Sequence, residues 1–427
     1  MSAVPNRTGV KIMTTARTVA AVLFLASGAA AAEPATGPQW RGPTRDGVAT
    51  GPAWPDKLQG DALTQVWRVE KLGPSYSGPI VAADRVFTTE TVDKKTEVVT
   101  AFDRKTGKEL WKASWDGAIT VPFFAAKNGS WIRATPAYDG ETLYVAGIRD
   151  LLVALDGRTG KERWRLDFLK EFETRPPDFG FVCSPLVDET GVYVQAGGCL
   201  AKVDKKTGKV LWRALKDAGG AMGSAFSSPV FARLAGKDQV VVQTRTKLAG
   251  VDRDTGAELW AKEVPAFRGM NILTPVPHGD DGVFTSTYGG NTRLVKVKSD
   301  GGRYATEDAW SFKYEGNMTS PVVVGGHAYV LGKDRRLLCV NLETGKEAWG
   351  TEERFGEYWS LVANGDKILA LDNRGVLHLL RANAKQYDLL DKRKVADAET
   401  WAHLAVCGHE VVVRDLTGLT LWKWAGK

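Results

Sequence analysis

The chain has 427 residues, of which 43% are apolar and 25% charged, and it contains no low-complexity tract, which excludes an intrinsically disordered protein. Its formal charge of +7 comes from Lys and Arg residues scattered beside Asp and Glu. This pattern excludes the one-sided basic surface that nucleic-acid binding requires.

The N-terminal residues 1–32 have the pattern of a secretory signal peptide. Three basic residues, Arg7, Lys11 and Arg17, precede an apolar run that ends in small alanines at 30–32. The run is too short to span a membrane, so we expect an exported, soluble protein in the periplasm or outside the cell. No cysteine stands at the expected cleavage point, so no lipid anchor is predicted. Translation from Met1 or from Met13 leaves a complete signal, and the sequence does not decide between them.

Short β-branched runs, such as residues 191–197 and 239–244, predict strands throughout the rest of the chain. A proline after a small or hydroxyl residue opens six successive groups of strands, and Ser360-Leu361 and His403-Leu404 continue the same period. The result is eight units of about 49 residues each, the size of a four-stranded propeller blade with its loops. The predicted fold is therefore all-β, an eight-bladed β-propeller of four-stranded antiparallel blades.

A repeated motif, D-x-x-T-G-x-x-x-W, ends five of these units. The Asp or Asn can accept hydrogen bonds within a tight turn, and the Gly can adopt the left-handed conformation that the turn needs. The Trp lies on the outermost strand and is expected to pack against the next blade. We interpret the motif as structural, with no catalytic role, at Asp103, Gly107, Trp111, Asp156, Gly160, Trp164, Asp204, Gly208, Trp212, Asp252, Gly256, Trp260, Asn341, Gly345 and Trp349.

The two ends of the chain are expected to complete one blade together. The last unit supplies only three strands, whereas residues 64–70 form a strand with no partners before it. Pairing the two removes an open edge and closes the ring. We therefore assign residues 33–63 to a leader packed on the propeller and residues 64–427 to the propeller itself. Blade five has lost the motif and blade seven has lost its Trp.

The A-x-D-x-x-T-G-K-x-x-W repeat resembles the tryptophan-docking motif of the pyrroloquinoline-quinone (PQQ) repeat family of propellers. That superfamily contains quinoprotein alcohol dehydrogenases and the outer-membrane assembly lipoprotein BamB, and the resemblance covers residues 64–425. The dehydrogenases hold their cofactor with a disulfide between adjacent cysteines, bind calcium and use a catalytic Asp, and this sequence has no adjacent cysteines and no matching motif. It departs from BamB by lacking the lipid-bearing cysteine.

The connections that follow the outer strands indicate a binding face. Between Trp111 and Pro136 lie 24 residues, whereas 10 lie between Trp310 and Pro321, and the long loops are rich in aromatic residues, including Phe123 and Phe124. Repeat proteins often carry such insertions on the face that binds. The residues near the channel mouth either pack between blades or form a ligand or peptide site. The predicted binding face consists of Tyr76, Trp131, Arg133, Phe179, Phe226, Arg268, Tyr358 and Trp401.

No set of residues in the sequence predicts catalysis or metal binding. His403, Cys407 and His409 have ligand-type side chains, but their spacing fits no common zinc pattern, and no nucleophile or acid–base motif is present. Cys183 and Cys199 flank one predicted hairpin and either pair or stay reduced.

We therefore predict a monomeric, non-enzymatic propeller that binds or scaffolds another envelope protein, with no cofactor. The alternatives are a PQQ-dependent oxidoreductase or PQQ-binding protein, and an envelope carbohydrate binder.

Overall fold

The computed structural model describes residues 35–217 and 225–425. The predicted signal peptide and both candidate start residues lie outside the described residues. Within the described ranges the chain forms 32 β-strands and a single five-residue α-helix, α1 (Phe168–Phe172), with short 3-10 helices at Gly60–Ala62, Phe123–Asn128 and Phe267–Gly269. No helix in this part of the chain has the length and apolar composition needed to cross a bilayer.

The strands fall into eight four-stranded sheets, which we number as blades in chain order. The first strand, β1 (Leu63–Glu70), precedes blade one, which holds β2 (Ile80–Val81), β3 (Arg85–Val92), β4 (Thr96–Asp103) and β5 (Glu109–Asp116), and blade two holds β6 (Ala137–Tyr138), β7 (Thr142–Gly147), β8 (Leu151–Asp156) and β9 (Glu162–Asp167). Blade three holds β10 (Leu186–Val187), β11 (Gly191–Ala196), β12 (Cys199–Asp204) and β13 (Val210–Ala214). Blade four holds β14 (Val230–Leu234), β15 (Lys237–Gln243), β16 (Lys247–Asp252) and β17 (Glu258–Glu263).

Blades five to eight follow in the same order. Blade five holds β18 (Val276–His278), β19 (Gly282–Ser286), β20 (Thr292–Asp300) and β21 (Arg303–Phe312), and blade six holds β22 (Val322–Val324), β23 (His327–Leu331), β24 (Leu337–Asn341) and β25 (Glu347–Gly350). Blade seven holds β26 (Trp359–Asn364), β27 (Lys367–Asp372), β28 (Val376–Arg381) and β29 (Asp388–Lys394). Blade eight holds β30 (Ala405–Cys407), β31 (Glu410–Asp415) and β32 (Gly418–Trp424).

Blade eight joins the two ends of the chain. Its strand order is β1-β32-β31-β30, and β1 pairs antiparallel with β32 from Leu63 opposite Trp424 to Glu70 opposite Gly418. The Arg68 guanidinium also contacts the Asp415 carboxylate at 2.7 Å. The predicted eight-bladed fold, with its ring closed by the first and last strands, is confirmed.

The hydrophobic cores lie between neighbouring blades. One buried cluster combines Tyr144 and Trp164 of blade two with Val192 and Val194 of blade three, and similar clusters recur around the ring. Each blade packs against its neighbours on both sides, so most residues of its middle strands are buried; β11, for example, is buried along its whole length.

The Trp of the repeated motif lies against the Gly of the same motif in the next blade. A Cβ added to Gly160 would meet the Trp111 ring at 2.4 Å, so only Gly leaves room for the indole. The indole nitrogen donates a hydrogen bond to a carbonyl oxygen in the next blade. These pairs are Trp67 with Arg104 (2.9 Å), Trp111 with Gly157 (3.1 Å), Trp164 with Lys205 (3.0 Å), Trp212 with Arg253 (3.3 Å), Trp310 with Leu342 (2.8 Å) and Trp349 with Asn383 (2.7 Å).

Trp260 departs from this pattern because blade five has no T-G turn to receive it. In blade five a long hairpin, β20 and β21, replaces the turn. Trp260 Nε1 instead donates to the side-chain oxygen of Gln239 in its own blade, at 2.5 Å. The buried indole N–H thus donates to a residue of its own blade because the next blade lacks the receiving turn and its carbonyl oxygen.

The four cysteines are buried free thiols. The Cys183 sulfur accepts a hydrogen bond from the Gln195 amide at 3.3 Å, while the Cys199 thiol donates to the Ala196 carbonyl oxygen. Burial raises the pKa of the Cys183 thiol to about 11. The alternative that these two cysteines pair is therefore wrong.

The propeller has two distinct faces. The D-x-x-T-G turns and the turns after the inner strands lie on one face, which we call the turn face. The connections from each outer strand to the next inner strand lie on the opposite face, the loop face, because successive strands in a blade are antiparallel.

Candidate functional site

A ring of hydrogen bonds links the blades where their inner strands begin. In each case a backbone amide donates to the hydroxyl oxygen that precedes the proline of the next blade. The bonds run from Gly78 to Thr135 (2.8 Å), Thr135 to Ser184 (3.0 Å), Ser184 to Ser228 (2.9 Å), Ser228 to Thr274 (3.3 Å) and Thr274 to Ser320 (3.1 Å). The Ser/Thr-Pro pattern was visible in the sequence, but its role as an inter-blade tie was missed.

On the loop face, residues from four consecutive blades stack at the mouth of the channel. The Tyr358 and Trp401 rings are stacked with their centroids 6.1 Å apart, and the ring centroids of Trp401 and Tyr76 are 5.5 Å apart. The Arg133 guanidinium lies 5.2 Å from the Tyr76 ring centroid, within cation–π range. Trp131 meets Tyr76 edge-on at 5.6 Å. The structure thus brings five of the eight predicted binding residues together.

Arg133 is held in place from the loop that precedes it. Its Nη2 donates to the Gly129 carbonyl oxygen at 2.6 Å, and its Nε has no partner. Burial lowers the pKa of the Arg133 guanidinium to about 10, and burial also raises the pKa of the Tyr76 hydroxyl to about 12. Both groups therefore keep their ordinary protonation at neutral pH, one as a cation and the other as a neutral phenol.

A second aromatic cluster involves Phe179 and Phe226, whose ring centroids are 5.5 Å apart. Phe179 is only 8% exposed and packs with Val121 and Ala125 in a small buried core. Phe124 lies over Phe179, with the two ring centroids 6.4 Å apart. Phe179 therefore supports the surface from below and offers little area to a partner.

Phe123 and Phe124 are two exposed aromatic residues of this face that the predicted binding face omitted. Phe123 is 92% exposed and Phe124 52%. They begin the 3-10 helix Phe123–Asn128 in the longest loop, and their rings meet edge-on at 5.8 Å. The sequence shows them as loop aromatics, but no periodic pattern separates them from the buried Phe179.

Arg268 lies apart from the residues above, in the connection between blades four and five. It is exposed, and its guanidinium lies 5.2 Å from the ring centroid of Phe267, which is itself 52% exposed. The pair adds a third aromatic feature to the loop face.

A pocket of about 320 Å³ opens beside the stacked rings. Tyr76 and Trp401 form part of its wall. Its rim carries charges of both signs, contributed by Lys127, Arg335, Arg374, Glu357 and Glu399. Lys127 and Asn128, at the end of the 3-10 helix that Phe123 and Phe124 begin, line the pocket, so one short helix carries the exposed pair and part of the pocket wall.

On the turn face, the leader closes the other end of the channel. Gly37 forms a β-bridge with Val81 of blade one, and Val48 forms one with Ala363 of blade seven. The chain between these bridges forms a loop whose Arg45 side chain is 1% exposed.

Arg41 and Arg45 extend from this loop among the inner strands. Arg45 donates to the carbonyl oxygens of Ser184, Pro185 and Pro229, which belong to blades three and four. Arg41 donates to the Pro321 carbonyl oxygen of blade six. Burial lowers the pKa of Arg41 to about 10 and that of Arg45 to about 9.

These residues do not fit a planar quinone cofactor in the channel. Arg41 and Arg45 fill the space among the inner strands, and most of their donors are taken by backbone carbonyls. The thiols are separate and buried, so the cysteine clamp of the dehydrogenases has no counterpart among them. Across residues 35–217 and 225–425, no three His, Cys, Asp or Glu side chains converge as metal ligands would. His403 and Cys407 are both buried in blade eight.

The arrangement on the loop face can bind by apolar contact and hydrogen bonding. It offers exposed rings, a pocket with mixed charge and a cation held over an aromatic ring. Such features are typical of protein interfaces, where aromatic residues and Arg carry most of the binding energy.

Comparison with known proteins places these features in a family context. Residues 94–351 match the family model described as outer membrane protein assembly factor BamB. The BamB of Shewanella oneidensis is 27% identical over 281 residues, which make up 58% of this chain and 65% of that protein, so the match spans somewhat less than two thirds of the relative's length.

Two solved structures show the same fold. The crystal structure of BamB from Moraxella catarrhalis aligns with a TM-score of 0.59 at 17% identity, covering 86% of this chain and 98% of that one. Quinohemoprotein alcohol dehydrogenase from Comamonas testosteroni aligns with a TM-score of 0.64 at 14% identity, covering 93% and 81%. At these identities the likeness concerns the fold alone, which an assembly factor and an enzyme share.

Proposed function

Because the chain belongs to the family of the outer membrane protein assembly factor BamB, we propose that it is a protein-binding, non-enzymatic propeller that acts in the assembly of outer membrane proteins. Its partner is then a protein of the outer membrane assembly machinery. Export by residues 1–32 would bring it to the periplasm, where such a partner is accessible.

The observation that carries the proposal is the exposure of Phe123 and Phe124 on the loop face. Burying a Phe side chain fully is worth about 1.5–3 kcal/mol, so leaving two rings in water forgoes stability that a partner would recover. Isolated exposed apolar residues are common on protein surfaces. Here, however, the two rings stand on a helix whose other end lines a pocket, and Phe124 packs near the Phe179 ring. Exposed apolar areas with a polar rim favour interaction sites.

The exposed rings stand on a rigid base. Ala125 is buried, its amide donates to the Pro122 carbonyl oxygen at 2.8 Å, and Phe179 packs beneath Phe124. A partner that docks on this helix has little conformational entropy to remove from it, and such pre-organisation favours affinity.

The pocket beside the helix supplies the polar part of the interface. Lys127, Arg335 and Arg374 can receive acidic or carbonyl groups, while Glu357 and Glu399 can receive basic ones. We therefore propose that the partner presents an apolar segment to Phe123 and Phe124 and polar side chains to the pocket. Mixed charges of this kind favour selection of the partner more than overall affinity.

The turn face is less suited to this role. Its D-x-x-T-G turns carry Lys and Asp side chains that are readily solvated, and the leader covers its centre. The dehydrogenase alternative is not supported, because Arg41 and Arg45 stand where a channel-bound cofactor would need space.

Site-specific photo-crosslinking tests the proposal. A photoreactive residue at Phe123 is expected to crosslink in cells to a protein of the outer membrane assembly machinery. The same residue at Leu211, which is 50% exposed on an outer strand, serves as the control and should not. Crosslinks from position 211 but not from position 123 would show that the loop face has been wrongly chosen.

A further inference from the structure

A separate cavity of about 150 Å³ lies on the turn face, between the leader and blade eight. The leader is bridged to Val81 in blade one and to Ala363 in blade seven, the two blades that flank blade eight. Between these bridges it passes over β30, whose residues 405–407 line the cavity. The leader thus forms one wall of the cavity and blade eight the other.

Three buried polar atoms of the cavity's lining residues have no hydrogen-bond partner: Arg41 Nη1, His403 Nε2 and Gln39 Oε1. Arg41 is 3% exposed and His403 6% exposed. Buried polar groups in proteins are normally hydrogen-bonded, so three unpaired atoms around one cavity call for an explanation.

The chemistry of each atom can be assigned from its neighbours. His403 Nδ1 lies 2.8 Å from the Leu404 carbonyl oxygen, which places the proton on Nδ1. The Leu361 backbone also favours the protonated ring, but Nε2 has no partner at hydrogen-bond geometry and is left as an acceptor. Burial lowers the pKa of His403 to about 3, which keeps the ring neutral. Gln39 Nε2 donates to the Pro43 carbonyl oxygen, so its Oε1 is also a free acceptor. The cavity therefore offers one charged donor and two neutral acceptors.

The positive charge of Arg41 has no carboxylate partner in the cavity. None of the residues that line it is acidic. The nearest acid in sequence, Asp46, accepts hydrogen bonds from the Thr44 hydroxyl and the Val48 amide. Its hydrogen bond with Arg41 runs through the Asp46 backbone carbonyl. The Asp46 carboxylate stabilises the Arg41 charge through space but makes no hydrogen bond with Nη1, so this unpaired N–H group can donate to an anionic ligand.

We propose that this cavity binds a small α-hydroxycarboxylate. The carboxylate accepts from Arg41 Nη1, and the hydroxyl donates to His403 Nε2 or Gln39 Oε1. A cavity of about 150 Å³ holds a molecule the size of benzene, which matches the six heavy atoms of lactate. Trp40, Pro43 and Val406 supply apolar walls for the carbon skeleton. The site is independent of the proposed protein partner, because it lies on the opposite face.

Saturation-transfer NMR on the full wild-type protein tests the proposal with three matched probes. Lactate should bind, propionate lacks the hydroxyl, and lactamide lacks the charge. We expect propionate to bind about 2- to 10-fold more weakly than lactate, and lactamide at least about 10-fold more weakly, as loss of a neutral and of a charge-assisted hydrogen bond implies. Absence of transfer to lactate at about 10 mM, or equal affinity for all three probes, would overturn the proposal.

A variant then locates the site. Arg41→Gln should abolish lactate binding, whereas Arg233→Gln, which removes an arginine that is 67% exposed, should leave it unchanged. Circular dichroism shows whether each variant keeps its fold. A folded Arg41→Gln protein that binds lactate as wild type does would refute the assignment. Should that variant not fold, the wild-type probe series decides the question by itself.

Discussion

The Trp111 indole lies on Gly160 of the next blade and donates a hydrogen bond to the Gly157 carbonyl oxygen at 3.1 Å. Gly160 has φ of +72°, so it meets two demands at once. The turn requires a left-handed residue, and the neighbouring blade requires a residue without a Cβ. The repeated T-G step is therefore an inter-blade contact as well as a turn.

The two demands on Gly160 can be separated by mutation. Gly160→Ala should be more destabilising than Gly236→Ala, because Gly236 also has positive φ, at +81°, but nothing lies within 4 Å of an added Cβ. The control should lose about 1–2 kcal/mol from the left-handed conformation alone. The Gly160 variant should lose about 1–3 kcal/mol more through overpacking against Trp111. Equal losses in chemical denaturation would show that the indole contact does not constrain Gly160.

A second prediction concerns Asp150, which is 4% exposed, has φ of +56° and accepts a hydrogen bond from the Gly197 amide at 2.9 Å. Burial raises the pKa of its carboxyl to about 6. The folded state therefore holds the proton more tightly than the unfolded state, whose pKa is about 3.9. The protonated Asp150 carboxyl therefore stabilises the folded state fully below about pH 4. This contribution to the free energy of unfolding is lost as the pH rises to about 6, and above that pH it no longer changes.

Asp150→Asn removes this charge but keeps the acceptor and tolerates positive φ. We expect the variant to be about 1–3 kcal/mol more stable than wild type at pH 8, and close to wild type at pH 4. Asp280→Asn, at an exposed position, controls for the change in net charge. Denaturation at both pH values provides the measurement, and an Asp150→Asn effect that is the same at pH 4 and pH 8 would contradict the prediction.

The fold could be predicted because every blade repeats the same local signals. The spacing of Ser/Thr-Pro, strand and T-G-x-x-x-W defines the blades, and the unpaired strand at residues 64–70 defines the closure. Trp260 shows the limit of such reasoning. Its motif is complete, but its partner depends on the next blade, where the receiving turn is absent, so the indole binds Gln239 instead.

The candidate site could be predicted only in part. Tyr76, Tyr358 and Trp401 occupy equivalent positions in three successive blades. Because equivalent positions surround the channel axis at the same height, the repeat pattern predicted that all three lie at one mouth of the channel. The insertion of Arg45 could not be predicted, since it joins residues about 140 to 180 positions apart through a non-repeating loop. The exposure of Phe123 could not be predicted either, because irregular loops lack the periodicity that separates buried from exposed positions.

A third prediction tests whether the leader stabilises the propeller. Arg45→Met removes hydrogen bonds to carbonyl oxygens in two blades, although it also relieves the cost of burying a charge. We expect a net loss of about 1–3 kcal/mol and faster proteolysis within residues 35–58. Arg233→Met is the exposed control and should have an effect below about 0.5 kcal/mol. Unchanged stability and unchanged cleavage for Arg45→Met would indicate that the leader contributes little to the fold.

The central claim is that the loop face binds a protein of the outer membrane assembly machinery through Phe123 and Phe124. The most direct measurement is the affinity of that interaction for the double variant Phe123→Ser/Phe124→Ser. A matched control, Leu110→Ser/Leu211→Ser, alters side chains that are 46% and 50% exposed on outer strands. We expect the Phe variant to bind at least about 30-fold more weakly, as loss of about 2 kcal/mol at an interface hot spot implies, and the control to bind as wild type does. Wild-type affinity of the Phe variant, or an equal loss in the control, would contradict the account.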